Sequence, residues 1–393
     1  MKHARNHSTG RLVSFLEGRR DAYLADLRTL VGIDSYSYDK AGVNRVNDWL
    51  ENRLNGLGFE VERVLHEEFG DDLVAVTKGK GTKHILLLGH SDTVFPDGTA
   101  AERPLSIQGH KILGPGTCDM KGGLLAGIYA LEALRHLGFN DFGRVTYLCV
   151  SDEEIDAAHS DDLIRKISRQ TNAALTLEAA RANGDIVTAR KGLRWYSIEV
   201  FGRAAHAGVE PEKGRNAILA LAHHVVALHK LNNFRPGATV NAGVIEGGSA
   251  PNVVPEYARV RIDLRAFSDE DLCALTDAVE AQLLHETVPD IRVTMTQEGP
   301  GDPAMPCTEK VAVLEKLAKK AARELGFEVK GAQTGGASDA NLVAAEGTPV
   351  LDGLGPIGGL DHSPDEYIEL SSIVPRTALL AKLIMAVSED NAL

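Results

Sequence analysis

Five short polar motifs punctuate this chain, each at the end of an apolar, strand-like run or in the loop just after one. In order they are Gly89-His90-Ser91-Asp92-Thr93-Val94, Gly116-Thr117-Cys118-Asp119-Met120-Lys121-Gly122-Gly123, Ser151-Asp152-Glu153-Glu154, Leu177-Glu178 and His362-Ser363-Pro364. The run His84–Gly89 is apolar enough for a strand buried on both faces, as in parallel sheets covered by helices. Residues 144–150 form another buried strand, and residues 72–77 and 173–177 read as two more. Val43, Val46, Leu50 and Leu54 recur at helical spacing until Gly56 and Gly58 stop the helix. Gly122 to Leu137 reads as a helix that starts just after Asp119. Such alternation predicts an α/β fold with a mostly parallel sheet. Sites in these sheets form at the carboxyl ends of strands, where His90, Glu153, Glu154 and Glu178 fall.

The rhythm changes over residues 192–299. A strand from Arg194 to Phe201 precedes a helix near 215–231, strands near 239–245 and 257–266, a helix after Ser268, and a last strand from Ile291 to Thr296. The order βαββαβ is ferredoxin-like. At 393 residues the chain is too long for one comfortable core. The expectation is a discontinuous catalytic domain, 1–191 and 300–393, with 192–299 inserted as a dimerisation or lid domain.

A net charge of −13 without a basic cluster argues against a nucleic-acid partner. The four cysteines, Cys118, Cys149, Cys273 and Cys307, have neither zinc-knuckle nor disulfide-framework spacing. Met1 to Arg20 lacks an apolar core of signal-peptide length. No stretch is read as approaching about 20 apolar residues, so no membrane partner is expected, and the cytoplasm is the expected location.

Two histidines, two aspartates and three glutamates at strand ends suit a pair of zinc ions. Such a pair needs a shared carboxylate, capping His and carboxylate ligands, and one carboxylate left free as a base. A lone His90 would more often be an ordinary hydrogen-bonded residue, and Glu153-Glu154 alone a solvated loop. Their ordered joint occurrence reverses that weighing. Neighbours leaving a strand end point apart, so one of Glu153 and Glu154 can bind metal while the other faces water. Asp152 is read as a supporting or solvated residue. Gly114, Gly116, Gly122 and Gly123 do not form a phosphate loop, because no Gly-Lys-Ser/Thr comes after them, and are read as backbone freedom around Asp119. His110, His159, His223 and His224 are given no role.

From about Leu24 to Met385 these motifs resemble the di-zinc metallopeptidase family of glutamate carboxypeptidase, acetylornithine deacetylase, succinyl-diaminopimelate desuccinylase and aminoacylase. The resemblance implies that His90 and Glu178 hold one zinc, Glu154 and His362 the other, and that Asp119 bridges both. It implies Glu153 as general base, with Asp92 orienting the His90 ring, and a cis peptide at Asp119-Met120. His206, in Gly202-Arg203-Ala204-Ala205-His206-Ala207-Gly208, matches a histidine that reaches the other subunit's site in a homodimer and stabilises the oxyanion. Asn252 and Arg265 match residues that bind the substrate's oxyanion region and carboxylate. Gly336 lies in a glycine-rich, substrate-side loop, Gly335 to Asp339.

The implied activity is zinc-dependent cleavage of an amide bond beside a free carboxylate in small peptides or N-acyl amino acids, with Co²⁺ or Mn²⁺ as substitutes. An N-acyl amino-acid deacylase is the alternative within enzymes. A non-catalytic homologue should have lost a ligand or the base, and all positions are filled here. Residues 298–303 contain no Arg or Lys, whereas glutamate-specific relatives tend to carry a basic residue there. Neutral or apolar side chains beside the carboxylate are therefore expected to be tolerated, unless Arg181 or Lys191 supplies a second cation.

Overall fold

The computed structural model of the chain describes residues 2–286 and 288–393. Two compact units emerge. One comprises Met1–Thr188, Cys307–Gln333 and Ser338–Leu393; the other comprises Ala189–Pro306 and Thr334–Ala337.

The larger unit is built on a six-stranded sheet. Its strands are β1 (Glu60–Val64), β2 (Asp72–Lys78), β3 (His84–His90), β4 (Arg144–Val150), β5 (Ala173–Thr176) and β6 (Val350–Leu351). Their spatial order is β1-β2-β4-β3-β5-β6. The β4–β3, β3–β5 and β5–β6 pairs are parallel and the two at the β1 edge antiparallel, so the mostly parallel α/β expectation holds. His90 lies opposite Val150, and Leu88 opposite Thr176. This register brings the three motif-bearing strand ends to one edge of the sheet.

The longer helices of this unit are α1 (Lys2–Val31), α2 (Lys40–Gly56), α3 (Gly122–His136), α4 (Glu309–Glu324) and α5 (Ile373–Glu389). Helix α1 is an element that the sequence pattern does not announce. Its Leu12, Leu16, Tyr23, Leu27 and Leu30 are buried, a spacing that repeats along one helical face. The Tyr23 hydroxyl donates to the Gly122 carbonyl at 2.6 Å, tying α1 to the start of α3. The segment Leu370–Glu389 is, by length and composition, apolar enough to cross a membrane. That corrects the expectation that no stretch approaches this. Its apolar side is used within the unit, where α5 packs on α1, α3 and α4 and buries Leu379, Leu380, Leu383 and Ile384. Each such burial is worth about 1.5–3 kcal/mol.

The glycines around Asp119 divide into two kinds. Gly114 and Gly116 have φ of 154° and 73°, the freedom expected of them. Gly123 instead serves close packing at the start of α3. A Cβ there would sit 1.8 Å from the Leu177 carbonyl oxygen, so Gly123→Ala should push α3 off the strand end that leads to Glu178.

The smaller unit has an antiparallel sheet in the order Thr239–Gly247, Tyr257–Ala266, Gly192–Phe201, Arg292–Asp302. Helices Ala217–His229 and Asp269–Leu283 cover it, with Ile198, Val200, Leu221, Val260, Leu264, Leu275 and Val279 in the core. The order is βαββαβ. Ser268 caps the second helix by accepting from the Asp271 N–H, a contact worth about 1 kcal/mol. The last strand runs to Asp302 rather than stopping near Thr296. Its register shifts between Glu298 and Asp302, where Gly299 and Gly301 take positive φ. A bulge of this kind breaks the alternation by which a strand is recognised.

Candidate active site

His90 ends β3 with its ring buried. Its Nδ1 lies 3.0 Å from the Asp92 carbonyl and 3.2 Å from Asp92 Oδ1, so Nδ1 carries a proton and Nε2 is turned toward Asp119. His90 Nε2 is 2.9 Å from Asp119 Oδ1 and 3.5 Å from Glu178 Oε1. The other Asp119 oxygen, Oδ2, is 3.1 Å from His362 Nε2, which is also 3.1 Å from Glu154 Oε2. The Asp119 carboxylate thus stands between two imidazoles with one oxygen toward each. Donor atoms of His90, Asp119 and Glu154 all lie within 4.8 Å of one another.

The electrostatics of these side chains fit a cation. Burial pushes the Glu153 carboxyl well up, with Asp339, Glu178 and Glu154 adding like charge and His90 opposing. Burial likewise raises Glu154 to about 7 and, with Asp119, raises Glu178. Burial alone would raise Asp119, but His362 and His90 outweigh it and hold it below the usual carboxylate range. Hydrogen bonds to Asp119 and Glu154 lift His362 to about 10. Burial pulls His90 down, and its bonds to Asp119, Asp92 and Glu178 more than reverse this. Buried carboxylates at such separations need positive charge. Moreover, Glu154 Oε1 is buried with no hydrogen-bond partner among the described residues, which leaves it available to a ligand. Oxygen and imidazole donors of this kind suit divalent metal.

Each loop is held by groups outside the motifs. Glu366, buried, accepts from the N–H groups of Gly116 at 2.8 Å, Cys118 at 2.7 Å and Asp119 at 2.9 Å. It thereby joins the His362 loop to the Asp119 loop. Sequence reasoning misses it although it lies four residues after His362; a glutamate in Ser-Pro-Asp-Glu resembles solvated loop. Asp92 Oδ2 accepts from the Ser37 hydroxyl at 2.7 Å and the Glu154 N–H at 3.2 Å. Asp152 is fully buried rather than solvated and accepts from the His159 N–H at 2.7 Å. Asp339 stands out in the sequence only as part of a glycine-rich loop. It is buried, its carboxyl is pushed well up by burial, with Asp152, Glu178 and Asp92 adding to the rise against His90, and its Oδ2 has no partner among the described residues. The Asp119-Met120 peptide is cis.

Other candidates belong to the smaller unit. His206 is exposed, and its Nδ1 accepts from the Gly208 N–H at 3.2 Å, which leaves the ring proton on Nε2. The exposed Asn252 is brought beside it: the Ala207 N–H donates to the Asn252 carbonyl at 3.0 Å, and His206 bridges to Val253. Arg265 is already engaged, with Nε and Nη2 on Asp263 at 2.9 Å and Nη1 on the Gly335 carbonyl at 2.8 Å. Two of its five N–H donors are not used by these contacts. The Gly336 carbonyl accepts from Arg190 at 3.0 Å. Lys191 lies over the Phe267 ring at 5.4 Å, while Arg181 Nε is buried without a hydrogen-bond partner among the described residues.

The family model described as peptidase family M20/M25/M40 matches residues 86–386, most of the chain. The chain belongs to that family. It is 32% identical to carboxypeptidase G2 of Pseudomonas sp. (strain RS-16) over 374 residues, 93% of this chain and 89% of the relative. It is 28% identical to an acetylornithine deacetylase of Proteus mirabilis over 371 residues, 88% of this chain and 89% of the relative. Among solved structures, aminopeptidase PepT from Bacillus cereus superposes with a TM-score of 0.82 at 23% identity, covering 94% of this chain and 99% of that one. This likeness concerns the fold. Family membership makes the chain a metal-dependent hydrolase of peptide or amide bonds, of exopeptidase type, and the His90, Asp119 and Glu154 cluster is its candidate metal site.

Proposed function

We propose that this hydrolase uses two zinc ions per subunit to cleave the amide bond beside a free carboxylate in small peptides or N-acyl amino acids. The observation that carries the reading is the Asp119 carboxylate set between His90 and His362 with one oxygen toward each. His90 and Glu178 would hold one zinc, Glu154 and His362 the other, and Asp119 both. Zinc supplies Lewis acidity, which makes water acidic enough to react at neutral pH and polarises a carbonyl. Glu153 takes the proton from the attacking water and returns it to the leaving nitrogen. Its environment suits that work, because burial and neighbouring carboxylates raise its proton affinity. Asp92 holds the His90 ring by its Nδ1 proton. His206, through its Nε2–H, donates to the oxyanion, with Asn252 beside it. Arg265 grips the substrate carboxylate with its two remaining N–H donors, and the Gly335–Gly336 backbone borders the same place.

His206 acts in the partner's site of a homodimer in this reading. An exposed edge strand supports such an interface: Val244 and Ile245 on Thr239–Gly247 are 43% and 61% exposed, and Ile218, Leu219 and Val226 on the adjoining helix are also outward. The inserted unit is then the dimerisation domain. All four cysteines are free, which suits the reducing cytoplasm.

Two measurements test the reading. Glu153→Gln keeps the shape but not the base, and should lose at least ~10² in kcat while retaining zinc. Activity near wild type would remove Glu153 from the base role. A mass-spectrometric screen of dipeptides, N-acyl glutamates, N-acetyl amino acids and their amidated forms then reads the substrate class. Cleavage restricted to N-acetyl compounds would favour the deacylase alternative, and equal cleavage of amidated forms would refute carboxylate recognition.

A further inference from the structure

We infer that Asp72 is a positioning residue for this reaction, clamping both ends of the loop that carries Glu153 and Glu154. The inference rests on Glu153 being the base. The loop leaves β4 after Val150 and enters the next helix at Asp161. Asp72 opens β2 and is fully buried. Its Oδ1 accepts from the Ser151 N–H at 3.0 Å and lies 2.9 Å from the Ser160 hydroxyl. Its Oδ2 meets His66 Nε2 at 2.8 Å. The Ser151 hydroxyl is 3.0 Å from the same Oδ1, but its nearer acceptor is the Gly70 carbonyl at 2.6 Å. The Ser160 hydroxyl shares its single proton between Asp72 Oδ1 and Asp152, with which it makes the shorter contact. One carboxylate therefore joins residue 151 to residue 160, with both glutamates between.

This loop needs an external clamp. Asp156 and Ala157 come just after the glutamates with φ of 66° and 46°, a region that disfavours residues bearing a Cβ. Aspartate tolerates it, but Ala157 has no side-chain reason to be there, so the surroundings must impose it. On the metal side the loop is tied by the Glu154 N–H bond to Asp92. The bonds of Asp72 run to Ser151, Ser160 and His66, and none of these is a candidate metal ligand, so its effect must pass through the loop. His66 braces it from the facing loop, whose Phe69 ring lies tilted against the His159 ring with 4.4 Å between centroids.

The test compares Asp72→Ala with Asp72→Asn, which keeps an acceptor for Ser151 and an amide toward His66, at saturating zinc. Misplacing a base by about 1 Å can cost ~10²-fold, so Asp72→Ala should lower kcat by roughly 10- to 100-fold with KM changed less than about 2-fold. Asp72→Asn should stay within roughly 3-fold of wild type. In a Glu153→Gln background Asp72→Ala should add less than about 2-fold, because a group acting through Glu153 has nothing left to position. An equal fold-loss in both backgrounds, or one that vanishes on correction for folded fraction, would overturn the inference. Should Asp72→Ala fold poorly, Ser160→Ala removes one end of the clamp, and an unchanged kcat there refutes it. Glu153→Gln retaining activity would instead sink the base assignment.

Discussion

Glu366→Gln is the substitution whose effect can be worked most directly from the geometry. Glu366 Oε1 takes two N–H bonds, from Cys118 and Asp119, and Oε2 takes one from Gly116. Glutamine can keep its oxygen at the Oε1 position and hold the first two. Its amide nitrogen then faces the buried Gly116 N–H, donor against donor. One bond to a charged acceptor is lost and one buried donor is orphaned, a cost of about 2 kcal/mol. For a unit of this size that corresponds to a fall of roughly 3–4 °C in Tm. Alanine would orphan all three donors and should cost more. Differential scanning fluorimetry of the zinc-loaded protein at pH 8 measures the shift, and competition with a chromogenic chelator measures metal retention. Because Oε1 holds the Asp119 N–H itself, weakened metal retention should accompany the lower Tm. A variant that melts within about 1 °C of wild type and keeps its metals would show that Glu366 does not hold the Asp119 loop.

Elemental analysis of protein purified without chelator should approach two zinc ions per chain; Asp119→Ala should lose both and His90→Ala mainly one, and full activity with a single metal would contradict the shared carboxylate. Mixing inactive Glu153→Gln subunits with inactive His206→Ala subunits should restore some activity, since one mixed site has both groups intact; no recovery after verified exchange would place His206 outside the partner's site. Arg265→Lys should raise KM by roughly 10- to 100-fold, the worth of a charged hydrogen bond or two, with zinc content normal, and an unchanged KM would dismiss Arg265 as the carboxylate contact. His224 is buried with neither ring nitrogen partnered among the described residues, and burial, with His223 and His285, lowers its pKa below the ordinary value of about 6.5. Its folded pKa being depressed, the stability it contributes is present above pH ~6.5 and lost as pH falls through the folded pKa; His224→Leu should therefore flatten the decline in Tm between pH 8 and 5, and parallel curves would refute this.

Periodicity and motif order are enough to read most elements and the βαββαβ insertion. Such patterns are local: a run like His84–Gly89 declares its burial residue by residue, and Ser268 marks a helix start by its spacing to Asp271. The resemblance names the candidate ligands, and the structure brings His90, Asp119, Glu154, Glu178 and His362 into one cluster. Three things are decided only in three dimensions. Helix α1 is hard to read because its buried Leu12, Leu16 and Tyr23 lie in a strongly charged stretch, and its role shows only once Tyr23 meets Gly122. The end of the last inserted strand is hidden because the bulge at Gly299 and Gly301 breaks the two-residue period. In the sequence Glu366 looks like a loop carboxylate and Asp72 like the polar first residue of a strand. Their meaning comes from partners 247 and 79 residues away, Asp119 and Ser151. A carboxylate's type is local information, whereas the N–H groups it satisfies depend on which loops the strand order β1-β2-β4-β3-β5-β6 sets side by side.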